Sequence, residues 1–243
     1  MNDIAGRRID HGMKNLFRVA ALSLLFAQTP SAFAANWASH IPQGWKLLDA
    51  VADAKAAVLI IEQDDPANRV KNEQLGMPEL NTNPRQMVFL TKSASGFQKV
   101  GSADAFLPPE GDVESTCLAD PLEDGGVALK NGVLTIDLNY WLSCGSYGVT
   151  KKTYKFRMQS GHYRLIGYDN FSYSRSTLEA EQSSRNYLTG KRKRVTGIRM
   201  DDEAGAPAEK TVWQKVPREA FYLDAMDRIA CDDYENGPSW CGE

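Results

Sequence analysis

Apolar and polar residues alternate along three neighbouring runs within residues 127–168. Short segments that favour turns separate the runs, namely Asn131-Gly132, residues 143–148 and Ser160-Gly161. A period of two is typical of strands in a half-buried antiparallel sheet, and Asn-Gly favours a tight hairpin turn. The pattern therefore predicts a β-meander with one face in the core and the other in water.

The first long strand of this meander assigns its side chains to two faces. The face that we predict to be buried carries Leu134, Ile136, Leu138 and Tyr140, and the wet face carries Thr135, Asp137, Asn139 and Trp141. An exposed aromatic ring surrounded by polar groups is typical of a recognition surface. Asp137, Asn139 and Trp141 are therefore candidate partner-binding residues, although the C-terminal tail is an alternative cover for Trp141.

Other apolar runs extend the β pattern on both sides of the meander. Residues 56–62 have the length and composition of a strand in the middle of a sheet, and residues 87–91 and 97–101 predict a hairpin. Residues 211–216 predict a last short strand. Pro217 permits a helix over residues 217–227, but an extended tail fits equally. The chain is thus predicted to be mainly β, with antiparallel meander sheets and little helix.

The N-terminus has the features of a secretory signal peptide. A basic region at residues 13–18 precedes an apolar run at residues 19–27 and the small-residue site Ala32-Phe33-Ala34. The run is too short to span a bilayer, so residues 1–34 are predicted to be cleaved, with translation starting at Met1 or Met13. We expect a periplasmic or secreted bacterial protein without membrane insertion. Residues 35–170 are predicted to form a β domain, and residues 171–243 a C-terminal β extension and tail packing on it.

Charge narrows the choice of partners. The chain has 28 basic and 31 acidic residues, a net charge of −3, and signal cleavage makes the balance more acidic. This balance argues against nucleic acid as the partner and against electrostatic docking of the protein on anionic lipid. We expect another protein of the cell envelope as the partner.

All four cysteines follow the predicted cleavage site. They are Cys117, Cys144, Cys231 and Cys241. An even count in an exported chain indicates disulfides, and of three possible pairings we favour the two between sequence neighbours, 117–144 and 231–241. Without a CxxC pair a zinc site is not indicated, and the sequence predicts no metal and no cofactor.

A basic run is the sharpest charge feature of the chain. It consists of Lys191, Arg192, Lys193 and Arg194. The run either binds an acidic partner or forms a solvated edge strand, since lysines on an edge block sheet-to-sheet aggregation. We include it among the candidate partner-binding residues.

Catalytic motifs are weak by comparison. No Gly-x-Ser-x-Gly elbow occurs, and His40 and His162 lack an evident nucleophile in sequence. Carboxylate pairs such as Asp64-Asp65 lie in polar segments, where hydration accounts for them. No catalytic residue is assigned, and the enzyme alternative is a cell-envelope hydrolase that uses loop carboxylates.

Two units of the chain look alike. The first contains Leu47-Leu48-Asp49, the strand at residues 58–61 and Gly96-Phe97, and the second is the meander with its Gly161-to-Gly167 segment. Together they resemble exported bacterial proteins built from a fragment of an integrin-α-like (FG-GAP) β-propeller. The resemblance implies two blade-like units in an open assembly, because a closed propeller has about four to eight blades. Its calcium turn is not matched, since only Asp49 and Asp53 are present there and calcium takes six to eight oxygens.

These observations favour a non-catalytic exported protein that acts by protein–protein interaction. One concrete form is a periplasmic immunity or inhibitor protein that blocks a toxin or a secreted enzyme.

Overall fold

The computed structural model describes residues 37–72, 79–201, 208–231 and 237–241. The predicted signal peptide lies outside these ranges. The strands of the described part are β1 Trp45–Ala52, β2 Ala56–Gln63, β3 Arg69–Lys71, β4 Glu79–Asn81, β5 Arg85–Ser93, β6 Gly96–Ala103, β7 Gly126–Lys130, β8 Val133–Trp141, β9 Gly148–Gln159, β10 His162–Ser174, β11 Glu179–Asn186, β12 Lys191–Arg199 and β13 Lys210–Lys215. Its helical segments are short 3₁₀ helices at Ala38–His40, Pro66–Asn68, Leu223–Ala225 and Arg228–Cys231. The prediction of a mainly β chain is confirmed.

The strands form antiparallel sheets. A four-stranded sheet has the order β1-β2-β5-β6, and a seven-stranded sheet has the order β13-β12-β11-β10-β9-β8-β7. A small ladder pairs β3 with β4. Every strand of the two larger sheets pairs antiparallel with its neighbours. Strand β10 runs through residue 170, so the seven-stranded sheet contains residues from both sides of the predicted domain division.

Two hairpin turns show why the meander forms where the sequence predicts it. Asn131 and Gly132 both have positive φ, at 54° and 73°, as do Ser160 and Gly161, at 52° and 90°. Two consecutive residues with positive φ match the twist of the flanking strands, and glycine takes this conformation without a Cβ clash. These turns fix the register of β7 with β8 and of β9 with β10.

The main core lies between the two large sheets. Val58 and Phe89 of the four-stranded sheet pack in one cluster with Ile136 and Leu165 of the seven-stranded sheet. Strand β2 is buried on both faces, as expected for an interior strand. Its other face carries Ala57, Leu59 and Ile61, which pack with Trp37 in a second cluster.

The structure adds strands to the predicted set and contradicts one local alternative. Residues 67–85 contain β3 and β4, and residues 171–184 contain the end of β10 and most of β11, although neither segment has one of the apolar runs that predict strands elsewhere. The basic strand β12 is not an edge, because β13 pairs with it. Strands β3, β4 and β11 are short or largely polar and pair by backbone hydrogen bonds, so their side-chain pattern gives little strand signal.

The C-terminal segment packs as an extended tail. Tyr222 bridges to Arg164 of β10, and Leu223 and Met226 are buried. The disulfides are Cys117–Cys144 and Cys231–Cys241, with Cα–Cα distances of 5.6 Å and 5.2 Å. Both predicted pairings are thereby confirmed. In the part of the chain that the structure describes, no helix has the length and apolar character needed to cross a membrane.

Candidate partner-binding face

The seven-stranded sheet has one face toward the core and one face away from it. We call the second the outer face. Alternation and register place on it Asp137, Asn139 and Trp141 of β8, Lys151, Thr153 and Lys155 of β9, Asp169, Phe171 and Tyr173 of β10, Gln182 and Ser184 of β11, Lys191 and Lys193 of β12, and Trp213 and Lys215 of β13. The strand pairing therefore brings the predicted residues of β8 to the same face as Lys191 and Lys193, which are two of the four residues of the basic run.

One row of cross-strand neighbours connects these groups. It runs from Asp137 through Thr153, Asp169, Ser184 and Lys193 to Trp213. Trp141 and Lys191 are further apart, since three strands lie between β8 and β12. At about 4.8 Å per strand spacing this separation is about 19 Å across the sheet. The residues thus belong to one broad surface and not to a compact pocket.

The outer face is cationic. The strand residues named above include five lysines and two aspartates, and both of these carboxylates have partners on the face itself. Lys155 Nζ donates to Asp169 at 2.7 Å, Ser184 donates to the same carboxylate, and Thr153 donates to Asp137. Within the described ranges the other four lysines, Lys151, Lys191, Lys193 and Lys215, have no carboxylate partner.

Trp213 is the most exposed aromatic residue of this face. Its side chain is 65% exposed on the strand at the end of the sheet, directly across from Lys193. Sequence reasoning placed Trp213 in a strand but did not select it. The alternation of Thr211, Trp213 and Lys215 was a usable signal, but only the register with β12 shows which face they share.

Trp141 is partly covered by Arg175, and no contact of Trp141 with the described part of the C-terminal tail is seen. The Arg175 guanidinium lies 4.9 Å from the centre of its indole ring and 5.9 Å from that of Tyr147. Arg175 Nη2 also donates to the carbonyl oxygens of Leu142 and Ser146, at 2.6 Å and 2.7 Å. This stack beside the Cys117–Cys144 disulfide holds the indole in place, and Trp141 presents only part of its surface.

Asn139, Arg192 and Arg194 are less available for binding a partner at the outer face than the sequence suggested. Asn139 is 8% exposed, and its amide donates to Asp124 at 3.3 Å. Arg192 and Arg194 point to the opposite face of β12 from Lys191 and Lys193. Arg194 pairs there with Glu181 at 2.8 Å, and burial, followed by repulsion from Arg194, lowers the pKa of Arg192.

The most buried carboxylate belongs to a structural ion network. Glu62 is 1% exposed and accepts from Lys46 at 2.8 Å and from Arg85 at 3.0 Å. Arg85 also makes a bidentate pair with Asp120, with Nη1–Oδ1 at 2.6 Å and Nη2–Oδ2 at 2.8 Å. Burial raises the pKa of Glu62, but donors including Lys46 and Arg85 outweigh it, so that the net pKa is lowered. A carboxylate held charged by these donors is suited to joining β2, β5 and the loop before β7.

Asp53, considered above for a calcium turn, caps two turns. Its carboxylate accepts backbone hydrogen bonds from Lys55, Ala56 and Gly132 at 2.8 to 3.0 Å. The pKa of Asp53 is lowered, mainly by the hydrogen bond from Lys55. In the described ranges no group of three or more His, Cys, Asp or Glu side chains is arranged to hold a metal ion.

Of His40 and His162, only His162 lies within ion-pair distance of a carboxylate among the described residues. Its Nδ1 lies 2.7 Å from Asp224 Oδ2, and the imidazole is 56% exposed at the start of β10. The pair joins β10 to the 3₁₀ helix at Leu223–Ala225.

Comparison of the chain with protein-family models, with curated proteins and with solved structures found no match.

Proposed function

We propose that this chain is an exported, non-catalytic protein that binds an acidic partner protein through its outer face. The observation that carries the proposal is the position of three lysines, Lys191, Lys193 and Lys215, around the exposed Trp213, in a chain whose net charge is −3. None of the three has a carboxylate partner among the described residues, and Lys151 adds a further positive charge across the face. A positive face on an acidic molecule favours one orientation of approach and one sign of partner charge.

The chemistry of the face suits a protein surface. Tryptophan is enriched among the residues that dominate interface energetics, because it buries a large rigid ring. The lysines around it supply electrostatic complementarity, which acts on the rate of association and on the choice of partner more than on affinity.

The dimensions of the face also suit such a contact. Five strand spacings of about 4.8 Å and six residues of about 3.4 Å give a surface of about 24 by 20 Å. Side-chain relief adds to this area, and a standard interface buries about 800 Å² on each partner. One partner domain is therefore enough to cover the face.

The cellular setting and the class of partner belong to the same proposal. The signal-like N-terminus and two disulfides support export to an oxidising compartment, where a toxin or secreted enzyme is a fitting target for an immunity or inhibitor protein. The four-stranded meander packed on the seven-stranded sheet is compatible with two blade-like units of a partial propeller.

The test compares neighbouring residues of β12 that lie on opposite faces. The double variant Lys191→Gln/Lys193→Gln removes two outer-face charges, and Arg194→Gln removes one charge from the other face as the matched control. Each immobilised protein is exposed to bacterial envelope extract, and captured proteins are identified by mass spectrometry. The captured protein is then purified and titrated at several salt concentrations.

We expect one acidic protein that binds the wild type and Arg194→Gln, binds the double variant at least about tenfold more weakly, and weakens as salt rises. Equal capture by all three proteins would overturn the proposal. So would a preference for duplex DNA, or for vesicles of phosphatidylglycerol and phosphatidylethanolamine, over every envelope protein.

A further inference from the structure

A cavity of about 530 Å³ lies on the inner face of the seven-stranded sheet, beneath the C-terminal segment. Its size falls within the range of small-molecule sites, about 300 to 1,000 Å³. One side is an aromatic wall made of Phe106, Tyr154, Tyr168 and Trp240, all at most 4% exposed. The outer face lies on the other side of the same strands, so the cavity is separate from the partner-binding face.

The aromatic wall is held rigid by its own contacts. Phe106 meets Tyr154 edge to face with ring centres 5.0 Å apart, and Trp240 lies 5.9 Å from Phe106. The Cys231–Cys241 disulfide fixes the backbone on which Trp240 is carried. A preformed aromatic surface suits a flat apolar ring, because little ordering remains to be done when the ring binds.

The cavity also contains a cation without a carboxylate. Lys152 Nζ donates to the Cys241 carbonyl at 2.8 Å and lies 5.5 Å from the centre of the Tyr140 ring. No ion pair joins Lys152 to a described residue. Burial lowers the pKa of its ammonium, as expected for a cation that has lost water without gaining an anion.

The described residues that line the cavity carry a net positive charge. Arg228 lines it near Tyr140, where its charge lowers the pKa of the phenol against the larger, opposite effect of burial. Glu181 also lines the cavity but is paired with Arg194. Two polar atoms of the lining, Asn170 Oδ1 and the Tyr168 hydroxyl oxygen, are buried without a hydrogen-bond partner among the described residues. A ligand that completes this site brings an anion, a ring and a donor.

We propose that this cavity binds a small aromatic carboxylate. The carboxylate neutralises Lys152 and Arg228, the ring packs on the aromatic wall, and an N–H or O–H group of the ligand donates to Asn170.

The first test uses two ligands of the same shape. Indole-3-acetate carries a ring N–H and a carboxylate, whereas indole-3-acetamide keeps the shape without the charge. Each is titrated calorimetrically into the disulfide-bonded, exported form of the protein, with inorganic phosphate as the anion that lacks a ring. We expect the acetate to bind at least about tenfold more tightly than the acetamide, since a charge-assisted hydrogen bond is lost, and phosphate to bind more weakly than either.

The second test asks whether Lys152 is the cation that binds the carboxylate of the ligand. Lys152→Met should lower affinity for indole-3-acetate by about tenfold and leave affinity for the acetamide unchanged. Lys151→Met is the matched control, because its side chain leaves the same strand toward the outer face, and it should bind both ligands as the wild type does.

The inference is overturned if acetate and acetamide bind the wild-type protein equally, or if neither binds. It is also overturned if phosphate binds as well as the acetate, or if the two methionine variants behave alike. The ligand comparison needs no variant, so it decides the question even if Lys152→Met fails to fold. Because Lys191 and Lys193 lie on the other face, loss of partner capture in the Lys191→Gln/Lys193→Gln variant leaves this result unaffected.

Discussion

The buried ion network at Arg85 makes a quantitative prediction about stability. Arg85 is 3% exposed and bonds to two carboxylates, those of Glu62 and Asp120. Substitution Arg85→Met keeps an unbranched side chain of similar length but removes the guanidinium. The carboxylate of Glu62, which is 1% exposed, then loses its buried cationic partner.

The magnitude follows from the contacts that remain. The guanidinium makes three charge-assisted hydrogen bonds, each contributing roughly 1.5 to 3 kcal/mol. Part of this loss is offset, because the variant no longer has to transfer a charged guanidinium from water into the protein. Breaking a buried ion pair costs about 3 to 5 kcal/mol in practice. Glu62 keeps Lys46 and the Asn81 amide at 2.9 Å. We therefore expect a loss of about 3 kcal/mol, at the lower end of the range.

The assay is equilibrium unfolding in urea at pH 7, followed by circular dichroism, together with a thermal melt. At 2 to 4 °C per kcal/mol for a chain of this size, the midpoint should fall by about 6 to 12 °C. Adding Glu62→Gln to Arg85→Met should cost less than the sum of the two single changes, because the second removes the charge stranded by the first. The control is Arg69→Met, which breaks the exposed pair with Glu79 and should leave the midpoint unchanged. A loss below about 1 kcal/mol for Arg85→Met, or strict additivity, would refute the reasoning.

Two further predictions concern the turns and the C-terminus. Asp53→Asn should destabilise by about 1 to 2 kcal/mol at pH 7, because the carboxylate accepts from three backbone N–H groups, including that of Gly132. The pKa of Asp53 is lowered in the folded state, so its contribution to stability is present above the ordinary value of 3.8 and is lost as pH falls through the folded pKa. The stabilities of wild type and variant should therefore converge in acid titrations followed by circular dichroism. The double variant Cys231→Ser/Cys241→Ser opens a loop with a sequence separation of 10 and should lose about 3 kcal/mol of stability in urea unfolding. Its affinity for indole-3-acetate should also fall, because Trp240 of the aromatic wall is no longer held in place. A variant as stable as the wild type would refute either argument.

The sequence predicted those parts of the fold in which side-chain pattern and backbone agree. The alternation of β8 assigned Ile136 and Leu138 to the core, and Asn131-Gly132 located a turn that requires positive φ. Strand β11 was not predicted, because its sequence, Glu-Ala-Glu-Gln-Ser-Ser-Arg-Asn, is almost entirely polar. Both faces of that strand meet water or polar neighbours, so backbone pairing alone defines it, and no local pattern records that pairing.

The candidate sites were harder to predict because they depend on which strands become neighbours. Nothing local to residues 191–194 shows that β13 covers their edge or that Trp213 faces Lys193. The buried role of Glu62 did have a signal: it directly follows a run of consecutive apolar residues in a strand buried on both faces. A charge that continues such a strand has to be buried and paired, although the identity of Arg85 as its partner needs the β2–β5 register.

Strand β9 shows why one sheet can carry two separate binding surfaces. Its consecutive lysines, Lys151 and Lys152, point to opposite faces because side chains alternate along a strand. Tyr154 and Phe156 fix this parity, since both are buried in the core and a slip of one residue would exchange the two faces. The core that stabilises the sheet thus also determines which lysine meets the partner and which enters the cavity. A substitution at either position is therefore expected to act on one surface and not on the other.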